Sequence, residues 1–488
     1  MQNDSIKKQI IKGMTYTAIQ KYSGVLISII LSMILSRLLT PQDFGVIGIA
    51  TVIISFFSLF SEMGFGAAII QKKELTQDDL NSIFTFTVYL GLSLCLLFFF
   101  SSYKIADFYN DKRLISICQL MSVNLLFAGF NIVPNALLLK DKNFKFIAIR
   151  TLIIQLFFGI AAVIAAFCGL GVYSLILESL FSGIFIFIIT YRLYPMKFQG
   201  RIKWLSIKKV ASYSFFQFLF GVINFFTRNI DNLLIGKFIS LKQLGYYQKS
   251  YSLMMMPVQN ITSVITPTLH PILSEFQKDP SFIKEKYNHI LRLLAVFGFP
   301  VSILLFFCAK EIIIIMFGFQ WEASIPVFQI LSLTVGLQII GSTVGSIFQA
   351  LNATKWLAFM GIINTIYNVS AFVLVLCLWG TIESLAWAWV SSSIIGLWGW
   401  PFMYHVLFKS SCKSFLQAIL PGFCIAVILS LFLFALSYIL LASNLVFSLL
   451  VKLIISLIVW SIFVDKWKIL NLKVLGKNLF RVNREHRM

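Results

Sequence analysis

Long apolar stretches recur along the chain, each bounded by polar residues, glycine or proline, and each reaching or exceeding the roughly 20 residues that a helix needs to cross a bilayer core. They predict fourteen transmembrane helices. The first seven cover residues 14–39, 44–70, 82–102, 113–139, 146–168, 171–191 and 210–236. The other seven cover 243–273, 287–308, 324–351, 355–378, 382–407, 414–440 and 445–464. The fold class expected is thus all-α and polytopic. Several stretches exceed the minimum length, so tilted or protruding helices are expected.

A repeat is written over this pattern at a spacing of 200 residues. Leu39-Thr40-Pro41-Gln42-Asp43-Phe44-Gly45-Val46 answers to Ile239-Ser240-Leu241-Lys242-Gln243-Leu244-Gly245-Tyr246, with Arg37 opposite Lys237. Helices 1 and 2 therefore correspond to helices 7 and 8. An offset of six helices, an even number, makes the two copies enter the membrane in the same direction, as parallel repeats about an axis along the membrane normal. This predicts an N-terminal lobe (1–207), a C-terminal lobe (208–409), two additional helices (410–465) and a basic tail (466–488).

Composition agrees with a membrane solvent. Hydrophobic residues make up 59% of the 488 and charged residues 12%, against about a quarter charged in soluble domains. The net charge of +21 would suggest nucleic acid in a soluble protein, but the basic residues fall in short segments between apolar runs, so no nucleic-acid partner is expected. Most of them collect in the N-terminal tail, alternate loops and the C-terminal tail, notably loops 140–150 and 192–209. By the positive-inside rule both termini face the cytoplasm. The first apolar stretch is too long for a signal peptide and is expected to be retained. The tail beyond Lys466 interleaves basic and apolar residues and reads as an interfacial segment for anionic lipid, with partner binding as the alternative.

Ionisable groups at membrane depth are costly, so each is a candidate for function. In helix 7, Gln217, Asn224, Arg228 and Asp231 recur at helical spacing with Gly221 between them and form one polar stripe, and positions 217, 221, 224, 228 and 232 have counterparts in helix 1. In helix 1, Thr17, Lys21, Gly24, Ser28 and Ser32 stand 200 residues earlier, position for position. Lys21 and Arg228 lie seven residues apart in repeat register, about 10 Å along a helix. Two cations at different depths suit an anionic head group passed between levels, because Lys and Arg bind phosphate by charge and hydrogen bonds. Arg228 and Asp231, at i and i+3, equally allow a mutual ion pair. Lys249 is a third cavity cation or a side chain reaching the far interface. Glu62 and Glu178 could carry a coupling proton or sodium ion, or be bonded to a neighbouring helix. Lys452 and Glu383 read as interfacial.

Catalysis finds little support. The loops are short, the four histidines are dispersed, and no Gly-rich phosphate loop, HExxH or GxSxG occurs. The seven cysteines form neither C-x-x-C nor a zinc spacing, so no metal site, catalytic residue or cofactor is expected.

The segment Ser36-Arg37-Leu38-Leu39-Thr40-Pro41-Gln42-Asp43-Phe44-Gly45, followed by Gly64-Phe65-Gly66-Ala67-Ala68-Ile69-Ile70-Gln71, resembles a family signature. So do Arg228-Asn229-Ile230-Asp231-Asn232-Leu233-Leu234-Ile235-Gly236-Lys237 and Leu244-Gly245-Tyr246-Tyr247. The family is the bacterial polysaccharide-transporter (Wzx-like) flippases of the multidrug/oligosaccharidyl-lipid/polysaccharide exporter superfamily, and the subgroup most similar is the lipopolysaccharide or colanic-acid exporters. Lys21 departs from that signature. The resemblance implies fourteen helices in two lobes and alternating access in the bacterial inner membrane. It also implies an undecaprenyl-pyrophosphate-linked oligosaccharide as cargo and an ion gradient as drive. A polysaccharide polymerase and chain-length machinery would be neighbours. The rivals are a drug/cation antiporter of the same superfamily, a membrane glycosyltransferase or polymerase, and a non-transporting scaffold of an envelope complex.

Overall fold

A computed structural model describes residues 2–466 apart from 63, 73, 441 and 442. Side chains at 2–12, 14, 62, 209–217, 219–220, 223–224, 264 and 267 are outside the description. The described residues are helical, in the order α1 (Gln2–Leu38), α2 (Pro41–Glu62), α3 (Phe65–Gln71), α4 (Gln77–Tyr109), α5 (Arg113–Lys140), α6 (Phe144–Phe167) and α7 (Tyr173–Leu193). Then come α8 (Trp204–Phe238), α9 (Leu241–Ser274), α10 (Pro280–Phe307), α11 (Ala309–Phe317), α12 (Ser324–Ser332), α13 (Val335–Gly341) and α14 (Val344–Ala350). The last are α15 (Thr354–Leu378), α16 (Ile382–Ile395), α17 (Gly399–Phe408), α18 (Lys413–Ile439) and α19 (Leu445–Lys466).

Every stretch expected to span the membrane is helical over most of its described residues. Among the described residues ten helical segments are long and apolar enough to cross, and the run α12–α14, bent by 44°, brings the number to eleven. The other expected spans are α8, α9 and the pair α16–α17. The first two are long but carry more polar and charged residues, and the third is interrupted by a 3-10 turn at Gly396–Trp398. Three stretches expected to be continuous are broken. Residues 44–70 divide at Gly64, whose φ of 73° is one a side chain would resist. Residues 324–351 divide into three short helices, and 382–407 divides at the 3-10 turn. The sequence reading also left out α11, a nine-residue helix in what looked like a loop.

The chain forms two compact units, Met1–Gly245 and Tyr246–Met488. α8 belongs to the first, where it packs on α2, α3 and α4, whereas the repeat begins its second lobe with that helix. One division follows contacts and the other the symmetry of the sequence.

Within the first unit the repeat motifs act as helix starts. Thr40 and Asp43 cap α2 reciprocally, the Thr40 amide donating to Asp43 Oδ2 at 3.0 Å and the Asp43 amide to Thr40 Oγ1 at 3.3 Å. Pro41 takes the first helical position, where its missing N–H costs nothing. In the second copy the Gln243 amide donates to Ser240 Oγ at 3.1 Å. The two starts cross at their glycines. A Cβ on Gly45 would lie 1.7 Å from the Leu241 carbonyl oxygen, and one on Gly245 would lie 1.9 Å from that of Pro41. Only glycine permits this approach.

The connection from α7 to α8 is tied along α4. The amides of Lys197, Gln199 and Lys203 donate to Asn81 Oδ1, Thr85 Oγ1 and Ser82 Oγ, at 2.9, 3.1 and 2.8 Å. Ser206 Oγ donates to Asp79 Oδ1 at 2.6 Å. A loop with no ladder of its own thus meets its backbone demands from one polar face of a helix.

In the second unit α10 packs on α12, α13 and α18. α18 approaches closely at Gly422, where a Cβ would stand 2.3 Å from the Ala295 carbonyl carbon. α19 closes on α10, α11 and α18.

Candidate functional site

The polar stripe of α1 meets α6. Gln155 Nε2 donates to the Gly24 carbonyl at 3.1 Å and to Ser28 Oγ at 2.8 Å, so two of the stripe's members satisfy an amide from the neighbouring helix. Thr17 Oγ1 returns to the Gly13 carbonyl at 2.9 Å. Lys21, one turn before Gly24, is half-buried. Gln155 was not among the residues picked from sequence. A single glutamine in an apolar helix, at a position no motif marks, was the only signal it gave.

α8 turns Phe218, Gly221 and Phe225 toward α2. Ring centroids of Phe60 and Phe218 are 4.8 Å apart and those of Phe56 and Phe225 5.3 Å, and a Cβ on Gly221 would touch Leu59 at 3.4 Å. Arg228, two turns beyond Gly221, is exposed, while Asp231 is fully buried. The Asp231 carboxylate accepts the backbone amide of Asn232 at 2.8 Å and its side-chain Nδ2 at 3.1 Å. An Arg228–Asp231 ion pair is not among those of the described residues. The side chains of Gln217, Asn224 and Glu62 lie outside the description. Glu178 is half-buried on α7, next to the Ser179 hydroxyl that accepts Asn124 Nδ2 at 3.2 Å from α5.

Lys249, in the second unit, is 9% exposed. Its ammonium stands 4.9 Å from the Phe317 ring centroid and 5.7 Å from that of Trp321. Ring faces attract a desolvated cation. These aromatic residues belong to α11 and the 3-10 turn after it, between two of the apolar stretches that predict membrane spans. Tyr246 stacks edge-on against Trp321 at 5.9 Å, and Ser250 Oγ donates to the Ser324 carbonyl at 2.9 Å.

One expectation is corrected. Lys452, taken as interfacial, is 4% exposed and pairs with Glu311 of α11 at 2.5 Å. It also donates to the Phe307 carbonyl at 2.9 Å, while Ser448 Oγ donates to Glu311 Oε1 at 2.7 Å. The pairing spans 141 residues, and α11, which brings the carboxylate inward, carried too short an apolar run to stand out.

The helices and their packing define a multi-pass membrane protein with a transporter fold. The fold is similar to the lipid II flippase MurJ in its inward closed conformation, with a TM-score of 0.74 at 16% identity over 93% of this chain and 98% of that one. It is also similar to an inward-facing multidrug resistance MATE family transporter of the MOP superfamily, with a TM-score of 0.60 at 14% identity over 82% and 99%. The sequence matches the polysaccharide biosynthesis protein family over residues 34–326, more than half of the chain. The chain belongs to that family.

Among its relatives is the teichuronic acid biosynthesis protein TuaB of Bacillus subtilis (strain 168), 26% identical over 89% of this chain and 90% of that protein. Another is the lipopolysaccharide biosynthesis protein WzxC of Escherichia coli (strain K12), 24% identical over 71% of each. A third is the succinoglycan biosynthesis transport protein ExoT of Rhizobium meliloti (strain 1021), 20% identical over 84% and 83%.

Proposed function

We propose that this protein translocates an undecaprenyl-pyrophosphate-linked oligosaccharide, a repeat unit of O-antigen, capsule or exopolysaccharide, across the bacterial inner membrane. The observation that carries the reading is the family match over residues 34–326. The membrane-depth cations supply the chemistry: Lys21 and the exposed Arg228 shield the pyrophosphate while the polyprenyl tail stays in lipid. Gln217, Asn224 and Lys249 are the other substrate-contacting candidates. Fourteen helices cross, α8, α9, α12–α14 and α16–α17 included, and both termini face the cytoplasm. The lobes of helices 1–6 and 7–12 rock in alternating access, with a proton or sodium gradient coupled through Asp231, Glu62 or Glu178. A polymerase and chain-length machinery take the product, and anionic lipid holds the basic tail.

The test is restoration of surface polysaccharide in a flippase-deficient strain supplied with the matching assembly genes. Wild type restores it, while Lys21→Ala and Arg228→Ala at matched membrane levels do not. A wild-type protein that restores nothing but confers resistance to cationic drugs would overturn the reading in favour of an antiporter.

A further inference from the structure

A cavity of about 470 Å³ opens in the second unit where the N-terminal parts of α10 and α18 run side by side. Its volume is in the range of small-ligand sites, and none of the roles above uses it. α10 contributes Lys286, Asn288, His289 and Arg292, and α18 contributes Ser414 and Gln417. Glu285 is the acidic member of the lining, and it is already engaged with Lys286 at 3.5 Å.

One atom of this lining, Arg292 Nε, is buried without a hydrogen-bond partner among the described residues. A buried guanidinium N–H lacking an acceptor is costly, and such groups call for an unplaced ion or ligand. The surrounding groups are mainly donors. Asn288 Oδ1 is taken by the Tyr404 hydroxyl, which leaves its amide N–H groups. α18 begins beside the cavity, its first amide, that of Lys413, donating to Ser411 Oγ at 3.3 Å, and the dipole of the helix adds to the positive field. A basic, donor-rich cavity with an orphaned arginine calls for an oxyanion, and tetrahedral phosphate fits the number of donors.

The level along the helix indicates the source. The 28 residues of α10 rise about 42 Å, roughly 12 Å more than a hydrocarbon core. With that excess at the N-terminal end the hydrocarbon begins near residue 288, so residues 286–292 straddle the boundary between lipid head groups and acyl chains. From this level Leu416, Leu420 and Phe423, each more than half exposed, run down one face of α18, an apolar track of the kind an acyl chain follows. We propose that this cavity holds the phosphodiester head group of an anionic phospholipid, with its acyl chain on the Leu416–Phe423 face. None of the transport candidates lines this cavity, and the proposal does not rest on the flippase reading.

Native mass spectrometry of the delipidated full chain in neutral detergent tests this without any transport step. The probes are phosphatidylglycerol, the zwitterionic phosphatidylethanolamine and inorganic phosphate. Wild type should bind phosphatidylglycerol at least fivefold more tightly than phosphatidylethanolamine, and Arg292→Gln should abolish that preference. His289→Gln/Lys286→Gln, whose changes are at exposed positions, should weaken it severalfold without touching the fold. Millimolar phosphate should leave lipid binding intact. Displacement of the lipid by phosphate would retain the oxyanion site but replace the lipid source with a soluble one. Equal binding of both lipids, or unchanged phosphatidylglycerol binding in the folded double variant, would overturn the proposal.

Discussion

Glu311→Met and Lys452→Met, singly and together, probe the buried ion pair that ties α19 to α11. The two side chains are 7% and 5% exposed, so each charge is removed from solvent and depends on the other. Removing one partner of such a pair costs about 3–5 kcal/mol, because an uncompensated charge stays buried, whereas replacing both by apolar groups of similar volume is often near neutral. Local bonds temper this here. Lys452 keeps the Phe307 carbonyl and Glu311 keeps Ser448, which places each single change near the low end, about 3 kcal/mol. At 2–4 °C per kcal/mol for a unit of this size, that is a fall of roughly 6–12 °C in Tm. Thermal unfolding of purified protein in one detergent, followed by circular dichroism, should show both single variants falling by that amount and the double variant recovering most of it. Single variants melting within 2 °C of wild type, or a double variant whose loss is the sum of the two, would refute the reasoning.

Gly45→Ala or Gly245→Ala should cost at least about 3 kcal/mol, the top of the overpacking range, because the added carbon meets backbone rather than a movable side chain. Gly66→Ala, which meets nothing within 4 Å, is the control, and monodisperse yield on size-exclusion chromatography is the measure. For Asp111, burial pushes the carboxyl up, but the hydrogen bonds and charge of Arg113 outweigh it and hold the group below its ordinary value. A lowered folded pKa contributes stability that is present above the unfolded value of about 3.9 and lost as pH falls through the folded one. The Tm gap between wild type and Asp111→Asn should thus be constant from pH 7 down to about 4 and narrow below it; a gap that widens on acidification would contradict the sign. Arg228→Ala should impair export of surface polysaccharide while Arg228→Lys keeps part of it, since charge survives but the forked geometry does not. Full export by stable Arg228→Ala protein would remove this residue from the path.

The helices were legible because a bilayer forces long uninterrupted apolar runs, and the breaks between them are written in charge and proline. The interruptions inside runs were not legible. Gly64 and the turns within 324–350 change direction without changing polarity, so periodicity passes over them. The 200-residue repeat foretold equivalent helix starts, and the crossing of Gly45 with Gly245 supplies a physical reason for glycine at both positions. For candidate site residues, sequence gives depth but not direction. It marked Lys21, Arg228 and Asp231, yet it could not tell that Arg228 is exposed while Asp231 is buried against Asn232. Nor could it find the Glu311 partner of Lys452 or the Phe317–Trp321 rings at Lys249, since each depends on a contact between residues far apart in the chain.

Translocation in proteoliposomes tests the central claim most directly. Purified protein would be reconstituted with radiolabelled polyprenyl-pyrophosphate oligosaccharide extracted from the bacterium's own assembly pathway, and transfer between leaflets read by the fraction open to an added, membrane-impermeant glycosidase. The account predicts transfer by wild type, accelerated by an imposed proton or sodium gradient and lost in Arg228→Ala. Transfer no faster than in protein-free vesicles, with folded protein and the native lipid under both gradients, would contradict it.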